Sequence, residues 1–238
     1  HVILDCFTVY GTQVFAPFSN YRVSWGTVSV VDPLYTIPLI LSLVIAGFMV
    51  RTKKTRRVVN YLGLVLSTSY LLFTVYNKSR VQTVFENELK AQNIEVSRMI
   101  TSPTIFNNVL WSCTVDANDA YYVGLYSFYD TVPVKFSRVE KQHHLIKNLD
   151  SDPTITSLRW FSDNYFSINK VDGELLFNDL RFGAYFDKEG NKTDYIFSFL
   201  LEEEDGAYEM VETLVGPPEG ESQDYIDAFF ARIWGVHK

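Results

Sequence analysis

Two stretches of the chain carry no charged side chain. Leu34 to Val50, LYTIPLILSLVIAGFMV, runs for seventeen positions, and Val58 to Tyr76, VVNYLGLVLSTSYLLFTVY, for nineteen. A helix needs about 20 apolar residues to cross the hydrocarbon core, with roughly 17 as the lower limit. Pro38 interrupts the first segment, and Asn60, Ser67, Thr68 and Ser69 dilute the second. A pair of buried helices in a soluble core is the competing interpretation. The linker RTKKTRR, with five basic residues in seven, favours two membrane spans joined by a short cytoplasmic loop. Tyr35, Tyr61 and Tyr76 fall near the segment ends, as interfacial aromatics do. With that loop inside, the residues before Leu34 and after Tyr76 both lie on the outer side.

Beyond the second span the period stays helical. Val81, Val84, Phe85 and Leu89 recur at three- and four-residue spacing, which predicts an amphipathic continuation to about Arg98, ended by Ser102-Pro103. The texture then turns to strands. Asp119–Asp130 and Asn164–Val171 are rich in aromatic and β-branched residues. Asp172-Gly173 reads as a two-residue hairpin turn into ELLFNDLRFGAYF, and DKEGNKTD as a second turn into YIFSFLLEE. Short helices are predicted at DPTITSLRWFS and SQDYIDAFFARIWG. The expected fold class is α+β: an N-terminal helical membrane part with two transmembrane helices, then an extracytoplasmic antiparallel α+β domain. The expected parts are 1–32, a helix and loop bearing candidate chemistry; 33–98, the helical hairpin with its amphipathic extension; and 99–238, the outer domain.

Charge follows the same division. The net −7 hides ten Lys/Arg against five Asp/Glu in residues 1–98, and eleven against twenty-three in 99–238. The acidic half would repel phosphate backbones, so no nucleic-acid partner is expected; the lipid bilayer is. Cys6 and Cys113 stand far apart and outside any CxxC spacing, and demand no disulfide framework. The chain opens on His1 without an initiator methionine, which is expected of a fragment or processed product.

His1 and Asp5 stand four residues apart, on one side of a helix. An imidazole and a carboxylate suit a divalent cation such as zinc, but a zinc site needs three or four protein donors, so the pair is at best a portion. An ordinary polar pair at a terminus is the plainer reading. Asp32 precedes Pro33 at the entrance to the first span, where it serves as a helix cap, a metal ligand, or both. His143 and His144, being adjacent, diverge on any regular element and read as surface residues. Asp179 and Arg181 read as a structural ion pair at a hairpin end, and Glu202–Asp205 as a solvated strand end or turn.

The run HVILDCFTVYGTQVFAPFS…VDPLYTIPL resembles the membrane-bound metal-dependent hydrolase family, the YdjM-like or DUF457 family. PTIFNNVLWSCTV, YYVGLYSFYD, LRWFSDNYFSI and NDLRFG are similar to the longer bacterial members, in the same order. The resemblance implies a multi-pass protein of the bacterial inner membrane with His1 and Asp5 as metal ligands. It makes Asp32 a ligand or a carboxylate orienting one, and Tyr10, Gly11 and Thr12 the turn walling the site and touching substrate. It also implies further histidine ligands upstream, absent from this chain, so that the chain lacks half of the metal site. By analogy with zinc-dependent phospholipases and nucleases, the implied chemistry is hydrolysis of phosphoester or lipid-linked substrates by a metal-activated water. Such a nucleophile needs no Ser or Cys, and catalytic side chains are not assigned. A non-catalytic, membrane-anchored binding or sensing module, with the acidic domain as its working part, is the alternative from another class.

Overall fold

The computed structural model describes residues 1–50, 54–171, 173–186, 191–204, 207–215 and 222–236. It divides into two compact units. One comprises His1–Val84 with Thr101–Trp111, the other Phe85–Ile100 with Ser112–Lys238.

In the first unit a single helical turn, α1 (Val2–Asp5), leads into a loop closed by paired backbone hydrogen bonds between Thr12 and Val23. Helix α2 (Pro33–Phe48) starts where the sequence places it. Asp32 accepts from the N–H groups of Leu34 and Tyr35, and Pro33, which has no N–H to satisfy, takes the first position. Helix α3 (Lys54–Ala91) has 38 residues, so about 57 Å at 1.5 Å per residue.

α2 and α3 as far as Asn77 are turned inside out relative to a helix of a soluble core. The inward positions of that part of α3 are Gly63, Ser67, Thr74 and Asn77, recurring at helical spacing, and only beyond it do apolar residues, Val81, Phe85 and Leu89, turn inward; those of α2 are Ser42 and Ala46. Large aliphatic and aromatic side chains face outward: Leu43, Phe48, Leu62, Val65 and Leu72 are all more than half exposed, Phe48 at 90%. Only small residues let two backbones approach this closely. A Cβ on Gly63 would lie 2.0 Å from Ser42 Oγ, and Ser67 donates across the helix pair to the Tyr35 carbonyl at 3.0 Å. Small residues at the contact, polar groups bonded between helices and apolar residues outward are what a lipid environment selects. α3 is long and apolar enough to cross a membrane. α2, with 16 residues, is a shorter apolar helix and spans about 24 Å. Of the basic linker, Lys54–Arg57 begin α3, and 51–53 lie outside the described residues.

α3 stops earlier than its periodicity predicts. It ends at Ala91, not near Arg98, and Ser102-Pro103 sits in a strand instead of closing the helix. Asn93 takes the left-handed conformation (φ 55°). The Ile94 N–H then reaches the Leu89 carbonyl, and the Asn93 N–H that of Lys90. This six-to-one and five-to-two pattern satisfies the free carbonyls at a helix end and reverses the chain.

Two four-stranded sheets follow, each in sequential order: β1 (Arg98–Pro103), β2 (Leu110–Asp116), β3 (Ala120–Ser127) and β4 (Phe136–Glu140); then β5 (Phe166–Val171), β6 (Glu174–Phe186), β7 (Lys192–Glu204) and β8 (Ala207–Val215). The second sheet is antiparallel throughout. Its first hairpin pairs Val171 with Glu174, which leaves the predicted two-residue connection; Asp172 lies outside the described residues, as do 187–190 in the second turn and Asp205 of the acidic run. Ser167, Asn178 and Ser198 form a buried polar row across β5, β6 and β7, with Asn178 bonded to both serines. A one-residue slip would strand these groups, so the row specifies the register. Helix α4 (Pro153–Phe161) packs Ile155 and Leu158 into a core with Phe166, Phe177 and Phe199. A second core, around Tyr121, Val123, Leu180 and Tyr195, draws residues from both sheets. Helix α5 (Ser222–Ile233) is held by Arg232, whose guanidinium grips both oxygens of Asp130 at 2.6 and 2.7 Å.

Candidate functional site

The first unit contains a pocket of about 370 Å³ lined by parts of α1, the loop behind it and the start of α2. Asp5, Tyr10, Gly11 and Asp32 all line it, although 27 positions separate the two carboxylates. Leu4, Val28 and Tyr35 supply its apolar wall, Thr8, Ser29 and Thr36 hydroxyls.

The loop is built to hold that shape. Gly11 has φ 71°, and a Cβ there would lie 2.7 Å from Ser24 Cβ and 2.8 Å from the Val23 carbonyl oxygen. Glycine is therefore required for both its backbone conformation and its lack of a side chain. Ser24 hydroxyl donates to the carbonyls of Thr8 and Val9, and the Trp25 N–H to the Cys6 carbonyl. Farther along, buried Asn108 donates to the Thr27 carbonyl and accepts from Asn77 at 2.8 Å, tying the loop to α3.

His1 and Asp5 do face one another, Nε2 to Oδ2 at 3.3 Å, with the imidazole 91% exposed. Asp32 is 2% exposed and heavily engaged. Its Oδ1 accepts from the N–H groups of Leu34 and Tyr35, and its Oδ2 from the Tyr70 hydroxyl at 2.8 Å. The capping role is thus realised, with a tyrosine from α3 added to it. Thr12 makes the bridge to Val23 and is not among the residues lining the pocket. Zinc takes three or four protein donors. Among the described residues no group of three His, Cys, Asp or Glu is placed to hold a metal ion. His1 and Asp5 offer two donors, which do not complete a site.

Outside this unit, two sequence readings are refined. Asp179 and Arg181 form a buried ion pair at 2.6 Å, as expected, but at a register irregularity within β6 and not at a hairpin end. His144 is exposed, whereas His143 is half-buried: its ring stacks on Phe166 and its Nε2 lies 2.8 Å from the Phe166 carbonyl. Both cysteines are buried, and among the described residues they form no disulfide.

The profile of the YdjM inner membrane protein family matches residues 1–81, the part that contains α1, the loop, α2 and most of α3. A protein described as uncharacterized protein YfhP, from Bacillus subtilis (strain 168), is 27% identical over 200 residues, covering 76% of this chain and 55% of the relative. The chain therefore spans about half the length of that curated relative. No solved structure matches. The exposed apolar surface of α2 and α3 and the family match agree on a membrane protein. Over its N-terminal third, residues 1–81, the chain is similar to the YdjM inner membrane protein family.

Proposed function

We propose that the first unit is part of a membrane-bound metal-dependent hydrolase acting on phosphoester or lipid-linked substrates. The supporting observation is that Asp5, Tyr10, Gly11 and Asp32, singled out by motif alone, share one pocket beside the start of an apolar helix pair. In this reading α2 and α3 both span a bacterial inner membrane, with the basic linker inside and the sheets outside. His1 and Asp5 are one side of a divalent-cation site; the remaining donors come from beyond the described residues. A bound cation would supply Lewis-acid chemistry. The chain's own residues shape the cavity: Gly11 permits the turn, and Asp32 fixes the start of α2. Tyr10 and the hydroxyls of Thr8 and Ser29 line the space available to a substrate.

The test is a titration with Zn²⁺, in detergent, of the full-length protein with every donor outside the described residues included, followed by elemental analysis of the dialysed protein. Asp5→Ala is expected to abolish retained metal while leaving the helical content intact. Equal metal stoichiometry in both proteins would remove Asp5 from the ligand set and the hydrolase reading with it. The second reading, a membrane-anchored binding module without turnover, is favoured by the two-donor count. Saturable binding of a phospholipid or phosphodiester with no product formed, in the presence of zinc, would select it.

A further inference from the structure

The second unit contains a separate pocket of about 360 Å³, lined by Arg98, Asp116, Tyr121, Lys141, His143, Arg159, Asn164 and Phe166. Three cations and one carboxylate meet there, and Lys141 and Arg159 come from the part of the chain, 99–238, whose overall balance is strongly acidic. We infer that this pocket binds a small aliphatic phosphate monoester, its phosphate held by Arg98, Lys141 and Arg159. The inference is independent of the hydrolase reading.

The cations are positioned before any ligand arrives. Asp116 accepts from Arg98 through Oδ2 at 2.9 Å and from Lys141 through Oδ1 at 2.7 Å, so one carboxylate spaces two positive groups. Arg98 lies 4.5 Å over the Tyr165 ring and Lys141 4.9 Å over that of Tyr121. Arg98 also donates to the Asp163 carbonyl, and Lys141 to that of Ala117. Arg159 reaches Asp150, a 72% exposed carboxylate that is not part of the lining. Its Nε is buried with no hydrogen-bond partner. An unsatisfied buried donor is costly, and a ligand acceptor would relieve it.

Charge and shape narrow the ligand. The lining sums to +2 with His143 neutral, and burial next to Lys141 and Arg159 holds that imidazole below its usual pKa. A phosphate monoester, carrying nearly two negative charges at neutral pH, matches that sum. Guanidinium forks match phosphate oxygens in geometry as well. The volume lies at the lower end of small-molecule sites and exceeds the needs of a bare phosphate. An aromatic base finds no platform. Phe166 is stacked by His143 at 4.2 Å and by Phe177 at 4.5 Å, and Lys141 occupies one side of Tyr121. The organic part is therefore aliphatic.

The full chain in detergent is titrated calorimetrically with glycerol phosphate, inorganic phosphate and glycerol. Glycerol phosphate is expected to bind at one site, more tightly than inorganic phosphate and more weakly as salt is raised; glycerol is expected not to bind. Arg159→Gln, checked for an unchanged near-UV spectrum, should weaken glycerol phosphate at least about tenfold, while Lys170→Gln, at an exposed position of β5, should change nothing. Micelles doped with phosphatidic acid are compared as a lipid-borne source. Competition by them supports the site and extends it to headgroups; its absence confines the ligand to soluble esters. Failure of glycerol phosphate to bind, equal binding of glycerol, or unchanged affinity in folded Arg159→Gln would overturn the inference. The wild-type comparison stands if the variant does not fold.

Discussion

Asp152 makes three hydrogen bonds that join two elements of the second unit. Its Oδ1 accepts from the N–H groups of Thr154 and Ile155, capping α4, and its Oδ2 from the Tyr208 N–H at 2.8 Å, on edge strand β8. The side chain is 8% exposed, so water does not readily replace these bonds. Losing a cap costs about 1 kcal/mol, and losing a charge-assisted bond to a buried N–H about 1.5–3 kcal/mol. Asp152→Ala should therefore destabilise by roughly 3 kcal/mol. Asp152→Asn retains the capping oxygen but presents an amide to Tyr208, and should lose only the second part, about 2 kcal/mol. The effect has a pH signature. Burial pushes the Asp152 carboxyl up, but the N–H groups of Tyr208, Ile155 and Thr154 outweigh it and hold it below the usual carboxylate range. A depressed folded-state pKa means the contribution is complete above the unfolded value, about 3.9, and is lost as pH falls through the folded one. Urea unfolding followed by tryptophan fluorescence, with Trp160 on α4 as the local reporter, measures both. Wild type and Asp152→Ala should differ fully at pH 7 and progressively less below pH 4. A difference under 0.5 kcal/mol at pH 7, or one that persists unchanged in acid, would refute the reasoning.

Two further outcomes are expected. Gly63→Val should force α2 and α3 apart at Ser42 and lower the melting temperature in detergent, at a cost of about 1–3 kcal/mol, with partial recovery in Gly63→Val/Ser42→Gly; an unchanged melting curve would contradict the close approach. Because burial depresses the His143 pKa from 6.5, the unfolded chain takes up the proton first, so stability of the second unit should fall as pH drops below about 6.5, and His143→Gln should flatten that slope in acid-unfolding curves.

What sequence could disclose divides along physical lines. Asp152-Pro153 and Asp32-Pro33 announce helix starts because capping is local chemistry, and both helices begin there. β6 emerges over the residues read as a strand because its aromatic and branched residues follow a two-residue turn signal. The sequence pattern does not place β1, β2, β4 or β8: RMITSP, FSRVE and AYEMVETLV are short or charged, LWSCTVD is a brief run with no hairpin signal, and sheet partners hold them extended. The end of α3 was missed because an apolar period continues past it. Asn93, which can adopt the left-handed turn, is the signal that marks the true end. The N-terminal pocket was partly legible because its motif residues lie within 1–36. The second pocket was not: Arg98, Asp116, Lys141 and Arg159 lie 61 positions apart end to end and meet only through the folding of two sheets.

The outward leucines, valines and phenylalanines of α2 and α3 alter what stability means for this chain. With small and polar groups spent on the helix contact, the first unit has little interior to drive its own collapse in water. The amphiphile around it then acts thermodynamically as a ligand, bound by the folded form over a broad surface and contributing by mass action. Its melting temperature belongs to the pair, protein and surrounding lipid or detergent, and should move with the acyl chain chosen. The second sheet, which lies wholly in the second unit and packs a core of that unit's own side chains, answers to no such partner.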